Sequence, residues 1–291
     1  MTDNEWIAAG WTSRQVRANG IELHVVEAGP GDGQPLILLH GFPEFWWAWR
    51  KQIQPLADAG FRVIVPDLRG YNLSEAPQGL ASYDLDVLAA DVVGLAKALH
   101  VPRFNLVGHD WGGVVAWWVA ARHADHVEKL VILDAPHPDV WGAQALKHPT
   151  QALRSSYAMF FQLPWLPEAV FGSFDFAGLR TMMEGSAAPG AFEAGALDRY
   201  MQAWQRPGRF TAMLNYYRAL RHRRSGGSAR IGVPTRILWG GKDSFLEPHV
   251  ARASLGQCEQ GDLEILEDAT HWLHLEQPER VTARILDHLQ S

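Results

Sequence analysis

Only one of the 291 residues is cysteine, Cys258. No disulfide can form within the chain, so a disulfide-stapled scaffold is excluded, and so is a metal centre of clustered thiolates. A lone thiol fits a reducing compartment, and a cytoplasmic setting is expected. A strong charge of one sign is also lacking. The 26 Lys and Arg against 32 Asp and Glu give a formal charge of −6 and a pI near 6.1, which argues against a surface that seeks nucleic acid. Long hydrophobic runs are missing too. The longest obvious one, residues 114–121, ends at Arg122, and the stretch from Met1 to Gly10 carries Asp3 and Glu5 where a signal peptide would need an apolar core. Neither a membrane span nor a classical export signal is expected. No internal repeat and no low-complexity tract is visible. What the chain does have is aromatic side chains, 13 Trp beside 12 Phe and 6 Tyr, within an ordinary globular balance of 47% hydrophobic and 20% charged residues. Such an excess either lines apolar pockets or fills a core.

Strand and helix signals alternate along most of the chain. Residues 16–26 read as a hairpin about Asn19-Gly20, a pair that accepts positive φ. Short apolar runs with strand character follow at 35–39, 61–65, 104–107, 129–133, 235–239 and 263–266, and most are continuous, as in strands buried on both faces. Between them 45–59, 85–99, 112–123, 248–255 and 278–290 carry helical spacing. This repetition predicts an α/β fold with a mostly parallel sheet and helices on both faces. The order breaks between about 136 and 228, where aromatic residues are spaced for helices. A helical insertion is expected there, entered at Ala135-Pro136-His137-Pro138 and left through a polar stretch with Gly226-Gly227.

Five local signals carry chemistry. Gly108-His109-Asp110-Trp111-Gly112 lies between a strand and a helix, and small flanking residues would let Asp110 project from a sharp turn at a helix N-terminus. Alone the pattern also fits a turn with a capping Asp. His40-Gly41-Phe42-Pro43-Glu44 follows another strand, on the side where catalytic loops of such sheets collect. The backbone N–H groups of Phe42 and Trp111 could pair as oxyanion donors, although a plain Gly-Pro turn fits as well. Asp243, in Gly240-Gly241-Lys242-Asp243, and His271, in Asp268-Ala269-Thr270-His271, each follow a strand. The order Asp110, Asp243, His271 is nucleophile, acid, base in the α/β-hydrolase arrangement. Asp134 also ends a strand and is a second possible acid; His274 is three residues past His271. The fifth signal is a pair of insertion tyrosines, Tyr157 in Ser156-Tyr157-Ala158 and Tyr217 in Asn215-Tyr216-Tyr217-Arg218.

With these residues in place the chain resembles an α/β-hydrolase-fold epoxide hydrolase of the soluble type. The resemblance runs from His40-Gly41-Phe42-Pro43 through Pro66-Asp67-Leu68-Arg69-Gly70-Tyr71 and the Asp elbow to His271. It implies a core domain of residues 1–135 and 229–291, a helical cap (lid) of residues 136–228, Asp110 as nucleophile, and Tyr157 and Tyr217 as hydrogen-bond donors to the epoxide oxygen. Asn72 and Thr270 depart from the family pattern, each standing where a Gly is frequent.

The implied reaction makes a vicinal diol. Asp110 attacks a ring carbon while the tyrosines steady the alkoxide, and His271, supported by Asp243, activates water against the resulting ester. The rivals are a haloalkane dehalogenase, in which Asn would usually stand at Phe42, a haloacetate dehalogenase, with arginines just after the nucleophile, and a non-catalytic ligand-binding member of the fold. Trp111, Phe161 and Trp272 are expected to bind substrate, and Trp46, Trp47, Trp141, Leu163 and Trp165 either join that apolar pocket or pack the core. The expected partners are a small apolar epoxide and water, with no cofactor, metal, nucleic acid or membrane, and the chain is expected as a monomer or homodimer.

Overall fold

The computed structural model describes residues 6–222 and 230–291. Asp3 and Glu5 at the start, and the Gly226-Gly227 exit of the insertion, lie outside the described residues. Asn19 at φ +46° and Gly20 at φ +82° form the expected turn, so β1 (Thr12–Ala18) and β2 (Ile21–Ala28) pair antiparallel with Ala18 opposite Ile21. The remaining strands are β3 (Gln34–Leu39), β4 (Phe61–Pro66), β5 (Phe104–His109), β6 (Val127–Leu133), β7 (Thr235–Gly240) and β8 (Gly261–Leu266). They make one eight-stranded sheet in the order β1-β2-β4-β3-β5-β6-β7-β8, parallel from β4 onward. Strands inside the sheet are buried nearly throughout, which is why they read as unbroken apolar runs. The edge strand β8 differs: Gly261 and Asp262 are exposed and Leu263 to Ile265 only half-buried.

Helices cover both faces. The expected 45–59 helix is a 3₁₀ turn, Trp46–Trp49, running into α1 (Arg50–Asp58). Helix α2 (Leu85–Ala98) starts at Asp84, whose side chain accepts the Asp86 N–H at 2.9 Å. Helix α3 (Asp110–Arg122) begins two residues before the sequence signal, because the elbow residue is itself its first residue.

Between β6 and β7 the described residues hold helices and no strand: α4 (Trp141–Lys147), α5 (Pro149–Arg154), α6 (Ser156–Phe160), α7 (Leu166–Gly172), α8 (Ala177–Ser186), α9 (Ala196–Trp204) and α10 (Arg209–Ala219). This stretch is tied to the loops after β3 and β4. Trp204 Nε1–H donates to the Pro43 carbonyl (2.6 Å), the Tyr216 hydroxyl to the Arg69 carbonyl (2.7 Å), and Arg209 Nε–H to the Asn72 carbonyl (2.8 Å). Asn72 takes φ +37°, a left-handed conformation that Asn tolerates where glycine is commoner. Its side chain also donates to Asp67 and accepts from Arg206, so this departure from the family pattern binds the loop to the helices above it. Helices α11 (Pro248–Leu255), α12 (Leu273–Glu276) and α13 (Pro278–Gln290) complete the chain. Among the described residues no helix is long and apolar enough to cross a membrane.

Candidate active site

Asp110 sits where β5 turns into α3, at φ +47°, a strained backbone that costs on the order of 1–3 kcal/mol and persists only where the surroundings impose it. Two glycines impose it here. A Cβ on Gly108 would lie 2.4 Å from the Gly112 carbonyl oxygen, and one on Gly112 would lie 2.3 Å from that of Leu39, so only glycine lets the elbow close against itself and against the end of β3. The carboxylate is thereby aimed out of the N-terminus of α3, where the Trp111 N–H belongs to the first turn, which has no partner within the helix. From the loop after β3 the Phe42 N–H donates to Asp110 Oδ1 at 2.7 Å.

His271 faces the other carboxylate oxygen, with Nε2 3.6 Å from Asp110 Oδ2. Its Nδ1 lies 2.7 Å from Asp243 Oδ2, while Asp243 Oδ1 accepts the N–H groups of Phe245 (2.6 Å) and Leu246 (3.0 Å). Burial works against charge on His271, yet Asp243 and Asp110 together hold its proton well above the ordinary histidine range. Of the two candidate acids, Asp243 is thus the one bonded to the imidazole; Asp134 Oδ1 instead accepts the Gly240 N–H at 2.8 Å. His274 points away, its Nε2 3.2 Å from Glu44 Oε1, and burial with the neighbouring His109 pushes it down to about 4. Thr270, the second departure, ties the His271 loop to α12 through two hydrogen bonds to Glu276.

Tyr157 on α6 and Tyr217 on α10 lie edge to face, 5.9 Å between ring centres, and burial raises both phenols above their usual value, so they stay protonated donors. Two cavities meet at Asp110 and this pair. One is lined by Trp111, Val114, Trp141 and Leu246, the other by Phe42, Phe161, Phe245, His271 and Trp272. Trp111, Phe161 and Trp272, the expected substrate contacts, therefore face these cavities, as does Trp141. The other aromatic expectations divide. Trp46 and Trp47 are buried in the core, Trp47 against Tyr200 and under the Arg50 guanidinium. Leu163 and Trp165 face solvent, Trp165 at 72% exposure, because the turn before α7 lifts them off the cavity wall.

A buried network behind His271 was not foreseen. Glu44, His109 and His274 are fully buried. His109 Nδ1 lies 2.8 Å from Glu44 Oε2 and its Nε2 2.9 Å from the His271 carbonyl oxygen. Both partners are acceptors, so each ring nitrogen is placed to donate. Although burial opposes it, hydrogen bonds from the N–H groups of His274 and His109 help hold Glu44 well below the usual carboxylate range. The network clamps the His271 backbone to the Phe42 loop. Its one sequence signal was polar residues inside otherwise buried runs.

Among the described residues, two groups bring three potential ligand atoms within 4.8 Å of one another, Glu44 with His109 and His274, and Asp134 with Asp243 and His271. Both His109 nitrogens and His271 Nδ1 are already spent on hydrogen bonds, so each group reads as a proton network.

A family model described as alpha/beta hydrolase fold matches residues 34–278. The chain is 44% identical over 280 residues to an AB hydrolase superfamily protein, YfhM, of Bacillus subtilis (strain 168), covering 95% of this chain and 97% of that one. It is 35% identical over 284 residues to epoxide hydrolase 4 of Homo sapiens, covering 95% and 78%. Its fold is similar to the crystal structure of the Bacillus megaterium epoxide hydrolase in complex with an inhibitor, with a TM-score of 0.88 and 30% identity, over 96% of this chain and all of the other.

Proposed function

The chain belongs to the α/β-hydrolase family, among the epoxide hydrolases of that fold, and from that premise we propose that it opens an apolar epoxide to a vicinal diol through a covalent ester on Asp110. The observation that carries this reading is one carboxylate held between a backbone N–H on Oδ1, an imidazole facing Oδ2, and a pair of protonated tyrosines at the junction of two apolar cavities.

An epoxide has a strained electrophilic carbon and a poor leaving group, so it needs a nucleophile and an acid together. Oδ2 of Asp110 bonds to the carbon as the ring C–O bond breaks, and a proton from the Tyr157 and Tyr217 hydroxyls converts the alkoxide to alcohol. Oδ1, already on the Phe42 N–H, becomes the ester carbonyl oxygen and is placed for the same donor, with Trp111 N–H, when hydrolysis makes it an oxyanion. Alkylation also removes the Asp110 charge beside His271. With one of its two supporting carboxylates neutral, His271 gives up its proton, which restores the spent tyrosine hydroxyl, and becomes a base for water, while Asp243 fixes its tautomer and direction. Water adds to the ester carbonyl carbon as His271 takes one of its protons, that proton passes to the departing diol oxygen, and the second water proton returns to His271 as Asp110 regains its charge. Glu44 and His109 act through the His271 backbone as positioning residues. Residues 136–228 form the cap that supplies the tyrosines and excludes water, with Trp111, Phe161 and Trp272 against the substrate.

The dehalogenase reading is disfavoured by Phe42, whose ring packs edge-on to Tyr217 (5.4 Å) and against Phe161 (5.5 Å) where a halide would need a polar donor. Supplying purified protein with an aryl epoxide, a haloalkane and a haloacetate separates the readings. Diol without halide release supports this one. Halide release, or no turnover of any of a panel of apolar epoxides, overturns it.

A further inference from the structure

Asp134 closes β6 in a left-handed conformation, φ +41°, and is fully buried. One of its oxygens is accounted for by the Gly240 N–H. The other, Oδ2, is buried without a hydrogen-bond partner, although its carboxyl lies with Asp243 and His271 in a group whose ligating atoms are within 4.8 Å of one another. Asp243, from the loop after β7, and His271, from the loop after β8, are the charged groups that face it. A single imidazolium cannot neutralise two buried carboxylates this close in addition to Asp110, so one of them must keep a proton. Asp243 is engaged by two N–H groups and the imidazole; Asp134 has one N–H and an orphaned oxygen.

We propose that Asp134 holds a proton on Oδ2 and donates it as a hydrogen bond to Asp243, making Asp134 a positioning residue for the His271 support. The orphaned oxygen then becomes a donor, with the Asp243 carboxylate in the same 4.8 Å group as its acceptor. Burial, followed by the neighbouring Asp243 charge, pushes the Asp134 carboxyl well above its usual range. Asp243 is left as the charged member of the pair, turned toward Nδ1, and the imidazole proton stays on His271. This inference rests on the reading of Asp243 and His271 as a catalytic pair.

An amide satisfies the same two demands, since its oxygen can accept from Gly240 and its NH₂ can donate to Asp243. Asp134→Asn should therefore retain turnover and its pH profile within about twofold, whereas Asp134→Leu, which can do neither, should slow hydrolysis of the Asp110 ester by about tenfold or more with ring opening little changed. Infrared difference spectra of wild type against Asp134→Asn supply a second reading that needs no substrate and holds if the leucine variant does not fold. A protonated-carboxyl stretching band should be present in wild type at neutral pH and absent in the variant. Lack of that band, or an Asn variant as impaired as Asp243→Asn, would overturn the proposal by making Asp134 an ionised acid. Loss of the epoxide reading itself would show instead as wild-type protein that turns over no epoxide while keeping the band.

Discussion

Replacing Asp110 with Asn gives the resting site the charge it has in the ester: a neutral acyl group of the same shape beside His271. The two side chains are 3.6 Å apart. At that separation a unit charge is worth about 5 kcal/mol at an effective dielectric constant of 20 and about 1 kcal/mol at the value of water. With 1.36 kcal/mol for each pH unit, the His271 imidazole of Asp110→Asn should titrate roughly one to three pH units below that of wild type. Nuclear magnetic resonance of the labelled imidazole measures both directly. The folded wild type binds this proton more tightly than the unfolded chain, so the pairing stabilises the fold below the ordinary histidine range. That contribution is lost as pH rises through the raised folded value, and the variant should lose it at lower pH. An imidazole that titrates alike in both proteins, with the fold intact, would refute the idea that alkylation turns His271 from a counter-ion into a base.

Tyr157→Phe and Tyr217→Phe keep the ring contacts to Phe161 and to each other and remove one donor each; single-turnover ring opening should slow by on the order of 10²–10³ in each, and the double variant should be nearly inactive. Wild-type rates in a folded double variant would remove the tyrosines from the reaction. His271→Gln should accumulate substrate mass on Asp110, detectable on the intact protein, whereas His274→Gln, whose native ring faces Glu44, should not; the same adduct in both would reassign the base. His274 is held at about 4 in the folded protein against 6.5 ordinarily. A depressed base resists protonation only when folded, so stability should fall by about 3 kcal/mol from this group as pH drops from 6.5 toward 4. Urea unfolding of His274→Gln at neutral and acid pH should show that much less acid sensitivity than wild type, and equal sensitivity would contradict the buried, neutral assignment.

Turn chemistry and strand ends made much of the molecule legible in the sequence. Asn19-Gly20 announces its hairpin because few other pairs accept two positive φ angles. The elbow is readable because Gly108 and Gly112 leave no room for a side chain, and the acid and base follow strands whose apolar runs mark them. What stayed hidden depends on contacts distant in sequence. Asp134 and Asp243 both follow strands; the order along the chain favours Asp243, and the 2.7 Å approach of His271 Nδ1 shows which of them meets the imidazole. Glu44, His109 and His274 meet across up to 230 residues of chain, and no local spacing encodes that. Aromatic richness was ambiguous for a physical reason: Trp46 in the core, Trp141 on a cavity and Trp165 in solvent carry the same side chain, and burial is decided by neighbours. The half-exposed β8 likewise reflects its place at the sheet edge, which an apolar run does not disclose.

The covalent role of Asp110 is tested most directly by the origin of the diol oxygen. With enzyme in excess over epoxide in heavy-oxygen water, each molecule reacts at most once. If Asp110 attacks, its own carboxylate oxygen leaves on the diol and water enters at the carboxyl carbon. The account predicts diol nearly free of solvent label and heavy oxygen in the peptide bearing Asp110. Diol fully labelled from solvent in that single turnover, with Asp110 unlabelled, would contradict it and leave Asp110 at most a base.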